Sequence, residues 1–359
     1  MMGRNENIEA VGNRSSAFVW AGLLISAVIF VILFRNIDWL RFLETIQNAD
    51  LLPLSLIPLS IAAEQLFRAV KWRALLRPFA RLSIIRLYGA IMAGYFSNYF
   101  APVKISFLVR AWIAARAGRA STSTVLGTVI LGRVVDGIVF VPLVLLAATT
   151  ITLDQYGGSV TVRLLWAALV SLVLLLALCW LFMSWAKAAK AGSALPKQLL
   201  SILPDRWSAP IERFIALFAE GTGLPSRLSS LAIIFSAALM MKIMAAVHLA
   251  LAGYAFAVDL SPLDYLFVMV CLGFAVVIAS TLKVVGGFIA GAVILLQKFG
   301  VDVETATAMA LSVSIASRLT VIASGVLALW CERLDLSLLK FWASRGGEAA
   351  DDARISPRH

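Results

Sequence analysis

The chain has 359 residues, 61% of them hydrophobic and 14% charged, with a formal net charge of +11 and a mean hydropathy of +0.92. A soluble domain is about 45–50% apolar and about 25% charged, so this composition excludes a water-soluble globular protein and points to an integral membrane protein. The basic excess is not a nucleic-acid footprint, because it sits in short segments between apolar stretches without an aromatic-basic module. Membrane proteins carry Lys and Arg in such places for orientation and for attraction to anionic headgroups.

Residues 1–16 are polar and are read as a cytoplasmic segment, followed by a single polytopic membrane domain over 17–331. An apolar helix of about 20 residues spans a bilayer, and the first apolar run, 17–34, is too long for the core of a cleavable signal peptide. A second span is predicted over 51–67. Arg68, Lys71, Arg73, Arg77, Arg81 and Arg86 then follow without an acid and are read as one basic loop. The stretch 84–116 is apolar but broken at Asn98-Tyr99-Phe100-Ala101-Pro102. Full spans are predicted near 125–150 and 164–185, then a basic loop over 186–228 in which Ile211, Phe214, Ile215 and Phe218 recur at helical spacing. That loop helix either lies in the membrane interface or packs on the bundle's inner rim. A span near 229–257 is followed by a second broken stretch, 263–298, interrupted at Lys283-Val284-Val285-Gly286-Gly287, and by a last span near 306–331. Residues 332–359 are small, polar and charged and are read as a disordered tail.

Proline and paired glycines end helices, and the second arm of each broken stretch has only roughly 13–15 residues, short for a span. Both are predicted to be re-entrant hairpins that enter and leave on one side. Freed backbone at that depth is tolerated only against protein or a wet cavity. With both termini cytoplasmic, the basic segments 68–86, 104–119 and 186–228 all fall inside, and Asp38, Glu44, Asp50, Asp154, Asp259, Asp264, Asp302 and Glu304 fall outside. The expected fold is an all-α integral membrane protein of about six full transmembrane helices plus two re-entrant hairpins. Span–hairpin–span occurs twice in opposite directions, an inverted-repeat pattern typical of transporters.

Charges at membrane depth are expensive and mark pathways or partners. Lys104, Arg133, Lys242, Lys283 and Arg318 stand against Glu64 and Asp136. Glu64 and Lys104 lie near predicted ends and can snorkel. Arg133 and Asp136 are three apart and can pair on one helix face, either tying helices together or lining a path. Lys242 either faces the path or lies along lipid beside a water defect. Lys283 and Arg318 have no evident acid, and their surplus positive charge suits a phosphate-bearing headgroup. Asn98, Pro102, Gly286 and Gly287 are expected at the hairpin tips. Cys179, Cys271 and Cys331 form no metal-ligand or disulfide pattern, and no catalytic or nucleotide-binding motif is present. We therefore expect no metal, no cofactor and no enzymatic activity.

Several of these marks together resemble the transmembrane family of lysylphosphatidylglycerol synthases, also called flippase-like domain proteins, over roughly 50–331. They are Arg68 with Lys71-Trp72-Arg73 and Leu75-Leu76, Asn98 with Pro102-x-Lys104 and Arg110, Arg133-x-x-Asp136, the segment from Phe214 to Gly221, Gly286-Gly287, and Gly300-Val301 leading to Arg318. The chain departs from the family pattern at three acids. Ser106-Phe107 stand where Gly-Glu is usual, Gly132 stands where a Glu commonly precedes the Arg-x-x-Asp, and Ala292 stands where a Glu follows the paired glycines. The resemblance implies a multi-pass protein of the bacterial cytoplasmic (inner) membrane, here expected without the aminoacyl-transfer domain. The expectation is a protein that binds an anionic lipid or lipid-linked headgroup and moves it between leaflets, with Arg133, Asp136, Lys283 and Arg318 along the path and Lys104 and Lys242 beside it. The alternatives are a non-transporting membrane partner of a lipid or glycan biosynthetic enzyme, or an anion channel.

Overall fold

The computed structural model describes residues 37–99, 106–150, 227–281 and 286–331, together with 217, 218, 220–225 and the isolated positions 31, 35, 166, 170, 173, 177 and 184. The expected spans 17–34 and 164–185, most of the 210–218 helix and the tail 332–359 lie outside the described residues. Within them the secondary structure is helical: α1 Trp39–Gln47, α2 Leu51–Leu76, α3 Ile84–Ser97, α4 Ser106–Gly118, α5 Thr122–Thr150, α6 Leu228–Ala255, α7 Pro262–Thr281, α8 Gly287–Lys298 and α9 Val303–Cys331. Four of these, α2, α5, α6 and α9, are long and apolar enough to cross a membrane.

α3 ends at its Asn98 cap, α7 ends at Thr281 and α8 opens at Gly286; residues 100–105 and 282–285 between them lie outside the described residues. One expectation fails. The basic run beginning at Arg68 is not a loop, because α2 continues to Leu76. Good helix formers fill residues 62–76, and the helix ends two residues before Pro78, where the residue ahead of a proline is pushed out of the helical region. Arg68, Lys71 and Arg73 are therefore helical, and Glu64 is mid-helix rather than at an end.

The described chain forms two compact units. The first takes in α1, α7, α8, the first part of α2 and α9 and the last part of α5 and α6. Asp38 opens α1, its side chain accepting from the Leu40 and Arg41 N–H groups, while its own N–H donates to Glu304 Oε1 at 3.0 Å. Ile37, Phe42 and Ala308 form a small buried core there. α7 and α8 pack antiparallel: a Cβ on Gly291 would lie 3.1 Å from Ala275, and the Phe267 and Phe299 rings meet edge-on at 6.0 Å. Gly286 starts α8 with φ +82°, a left-handed conformation that glycine adopts without Cβ strain.

The second unit holds α3, α4, the larger part of α2 and α5, the start of α6 and the end of α9. Its core gathers Trp72, Leu76, Leu87, Met92, Val125 and Phe218 among others. α3 and α4 are also antiparallel. A Cβ on Gly94 would lie 2.7 Å from the Ser106 carbonyl, and one on Gly118 would lie 2.7 Å from Ala80, just ahead of α3. The turn is tied by the Ser106 N–H, which donates to Asn98 Oδ1 at 3.2 Å.

Candidate functional site

One face of α2 carries Arg68, Lys71, Trp72 and Leu75, the three-and-four spacing of a single helical stripe. Arg68 reaches back one turn, its Nη2 donating to Glu64 Oε1 at 2.7 Å. Lys71 is 3% exposed. Its Nζ donates to Asp136 Oδ1 of α5 and to the Gly132 carbonyl at 3.2 Å. The Trp72 indole N–H donates to Thr128 Oγ1 at 3.0 Å, and that hydroxyl donates in turn to the Val125 carbonyl at 2.7 Å. These bonds fix α2 and α5 side by side and hold the cations in place.

α4 adds Arg110, which the glycine at 94 admits, since a Cβ there would lie 3.1 Å from the Arg110 Cβ. Arg110 is 6% exposed, and its guanidinium stands 6.0 Å from the centre of the Trp72 ring. Its Nε is buried without a hydrogen-bond partner, and among the described residues it makes no ion pair. Arg68 stands over Tyr95 in a similar way, at 5.9 Å. Arg68, Lys71, Trp72, Arg110, Arg133 and Asp136 line one small open cleft with a volume of about 20 Å³. Its walls carry four cations and one carboxylate. An isolated buried charge is strongly unfavourable unless it is paired or hydrogen-bonded, so the unpaired Arg110 is chemically suited to receive an anion.

Of the residues expected at the site, Arg133 and Asp136 both line this cleft. They do not pair with each other. Arg133 is exposed, and Asp136 is taken by Lys71, whose near-complete burial requires a carboxylate more than an exposed arginine does. Lys242 is partly buried, its Nζ 5.0 Å from the centre of the Phe140 ring, and does not line the cleft. Arg318 is exposed on α9 and does not line it either. Asn98 closes the α3–α4 turn, and Gly286 rather than Gly287 carries the positive φ at the start of α8. Lys104, Pro102 and Lys283 lie outside the described residues. Sequence reasoning quoted Arg68, Lys71 and Arg110 as marks of the family resemblance but left them out of the expected site. The available signal was the Glu64/Arg68 spacing of four and the stripe at 68, 71, 72 and 75. Among the described residues no group of three His, Cys, Asp or Glu side chains could hold a metal ion.

A family model described as the lysylphosphatidylglycerol synthase TM region matches residues 19–325. The chain belongs to this family. No curated protein matches it, and no solved structure does. Membership in the lysylphosphatidylglycerol synthase TM region family, together with the four long apolar helices, makes the chain a membrane protein of lipid-related function. All the cleft residues named above fall within the matched span. The glycine at 127, also within it, lets α5 approach the Phe218–Gly221 segment, where a Cβ would overlap the Phe218 carbonyl.

Proposed function

We propose that the chain binds the phosphate-bearing headgroup of an anionic lipid in the Arg68–Lys71–Arg110–Arg133 cleft and moves that lipid between leaflets of the bacterial cytoplasmic membrane. The observation that carries the reading is Arg110, buried and without an acid in a cleft where cations outnumber carboxylates four to one. A guanidinium offers phosphate a planar pair of donors, and Arg133 at the exposed side supplies a second charge where an anion arrives. Asp136 keeps Lys71 paired while the cleft is empty, and an incoming phosphate competes for the same ammonium. No covalent step is involved.

The topology suits this reading. α4 and α8 have 13 and 12 residues, about 20 and 18 Å at 1.5 Å per residue, well short of a ~30 Å hydrocarbon core. We read α3–α4 and α7–α8 as re-entrant hairpins entering from opposite sides, with long helix, short pair, long helix repeated in inverted order and both termini cytoplasmic. The absent acids favour one second reading. With Gly132 and Ala292 where the family pattern has glutamates, the chain could hold lipid for a partner enzyme without moving it.

The test is purified protein in vesicles carrying a labelled anionic phospholipid, with bound phospholipid per mole of monodisperse protein measured in parallel. Wild type is expected to bind and move the lipid, and Arg110→Gln to lose both while keeping its folded yield. Binding without movement in wild type selects the partner reading. Wild-type rates and stoichiometry in Arg110→Gln overturn the site.

A further inference from the structure

The opposite face of α2 borders a second cleft. Val70 and Arg73 lie on that face, with Arg77 and Arg81 beyond the helix end, and Ser230 and Ile233 of the first turns of α6 also line the cleft. The cleft is open and has a volume of about 400 Å³. All three arginines are exposed, and among the described residues none makes an ion pair. The chain beyond α2 is held in a tight turn, with the Phe79 and Ala80 N–H groups donating to the Leu76 carbonyl, each at 2.9 Å, so Arg77 and Arg81 are presented from a fixed backbone. The N-terminal end of the 28-residue α6 adds the positive end of a helix dipole. Three cations stand beside a wall of Val70 and Ile233, an arrangement complementary to an anionic amphiphile.

We propose that this cleft seats an anionic phospholipid, its phosphate on Arg73, Arg77 and Arg81 and the upper part of its chains along Val70 and Ile233. Positive charge near a membrane end attracts anionic lipid in general. A built seat differs from diffuse attraction because the apolar wall and the volume are required as well as the charge. The site is separate from the buried one. Residues 68, 71, 72 and 75 turn toward Arg110, whereas 70 and 73 turn away, as about 100° per residue dictates. Neither proposal depends on the other.

The experiment is native mass spectrometry of full-length detergent-purified protein titrated with phosphatidylglycerol or phosphatidylcholine. All variants are made in an Arg110→Gln background, which removes the buried anion site, and this parent is expected to retain phosphatidylglycerol selectively. The triple variant Arg73→Gln, Arg77→Gln, Arg81→Gln is expected to lose this selectivity, with affinity falling on the order of 100-fold at about fivefold per arginine. Ser230→Trp fills the cleft without altering its charge and is expected to lose the same lipid. Inorganic phosphate alone is expected not to displace it, since phosphate lacks the chains that the apolar wall holds. Retention in the triple variant or in Ser230→Trp overturns the proposal, as does full displacement by inorganic phosphate. An Arg110→Gln parent that binds no more phosphatidylglycerol than the triple variant overturns it too, whatever else fills the cleft.

Discussion

Replacing Arg110 by methionine separates a functional charge from a structural one, because the two roles predict opposite changes in stability. Arg110 is buried, has no carboxylate partner among the described residues, leaves its Nε unpaired and meets the Trp72 ring at 6.0 Å. Exchanging buried ionic groups for apolar ones of similar volume is neutral or stabilising by about 1–4 kcal/mol, and Arg110 has no acid to offset its desolvation. The lost contact with Trp72 returns about 0.5–2 kcal/mol, so Arg110→Met is expected to be more stable than wild type by about 1–2 kcal/mol without ligand. Its anion affinity is expected to fall by about 2–3 kcal/mol, the worth of a charge-assisted hydrogen bond or two, or roughly 30- to 150-fold. The assay is thermal unfolding in detergent with and without a short-chain anionic phospholipid. Wild type gains stability with ligand concentration by linkage, whereas the variant starts higher and shifts little. A methionine variant that is less stable than wild type and keeps the full ligand shift refutes the reasoning and makes Arg110 a packing residue.

Three further outcomes are expected. Gly132→Glu fits sterically, since a Cβ at 132 would lie 3.5 Å from Leu75 Cδ1 and 3.9 Å from Lys71 Cε; its carboxylate repels an anion ~10 Å away by about 1.7 kcal/mol at an effective dielectric of about 20. Anion titration should therefore show roughly tenfold weaker binding, and unchanged affinity would place the anion elsewhere. Gly253→Ala drives a Cβ into the Tyr265 hydroxyl and displaces its hydrogen bond to the Val258 carbonyl at 3.0 Å, so thermal unfolding should show a loss of about 1–3 kcal/mol, partly recovered when Tyr265→Phe is added. Asp302 accepts from the Thr305 N–H at 3.1 Å and its hydroxyl at 2.7 Å, a cap whose removal in Asp302→Ala should cost about 1 kcal/mol at neutral pH. Burial pushes this carboxyl up, but the Thr305 hydrogen bonds outweigh it and hold it below the usual carboxylate range. The contribution is therefore present above the unfolded carboxylate pKa and is lost as pH falls through the lowered folded value. Wild type and Asp302→Ala should converge in acid, and a gap that persists there contradicts the cap.

The long helices were legible because hydropathy alone decides them. Spans expected near 125–150, 229–257 and 306–331 are α5 Thr122–Thr150, α6 Leu228–Ala255 and α9 Val303–Cys331. The start of α8 was legible because Gly286, with its positive φ, sits where a helix does not simply continue. The end of α2 was not, because a dense run of arginines reads as a loop when its partners are unknown. Arg133 and Asp136 stood out as single charges in an apolar run, and both line the cleft. Arg68, Lys71 and Arg110 were singled out as marks of the family resemblance but not as site residues, because each lies in a basic segment that orientation in the membrane already explains. Partner choice was the least legible feature. The spacing of three favours Arg133 for Asp136, but Lys71 comes from 65 residues away, and only the packing of α2 on α5 makes that contact available.

The cations of the cleft are restrained unequally, and that ordering bears on how it would work. Arg68 is held by a carboxylate one turn away on its own helix, a local pair that needs no other element. Lys71 is held by Asp136 across two helices, so its release changes how α2 and α5 are tied. Among the described residues Arg110 is held by no acid, and its guanidinium rests on the Trp72 ring. An anion entering from the Arg133 side therefore meets its least satisfied donor in Arg110 and its most contested one in Lys71. Occupying Arg110 relieves an unpaired charge and needs no rearrangement, whereas occupying Lys71 displaces Asp136. On the proposed function, binding and movement would fall on different residues: affinity on Arg110, and the coupling of occupancy to helix position on the Lys71–Asp136 pair that α2 and α5 share.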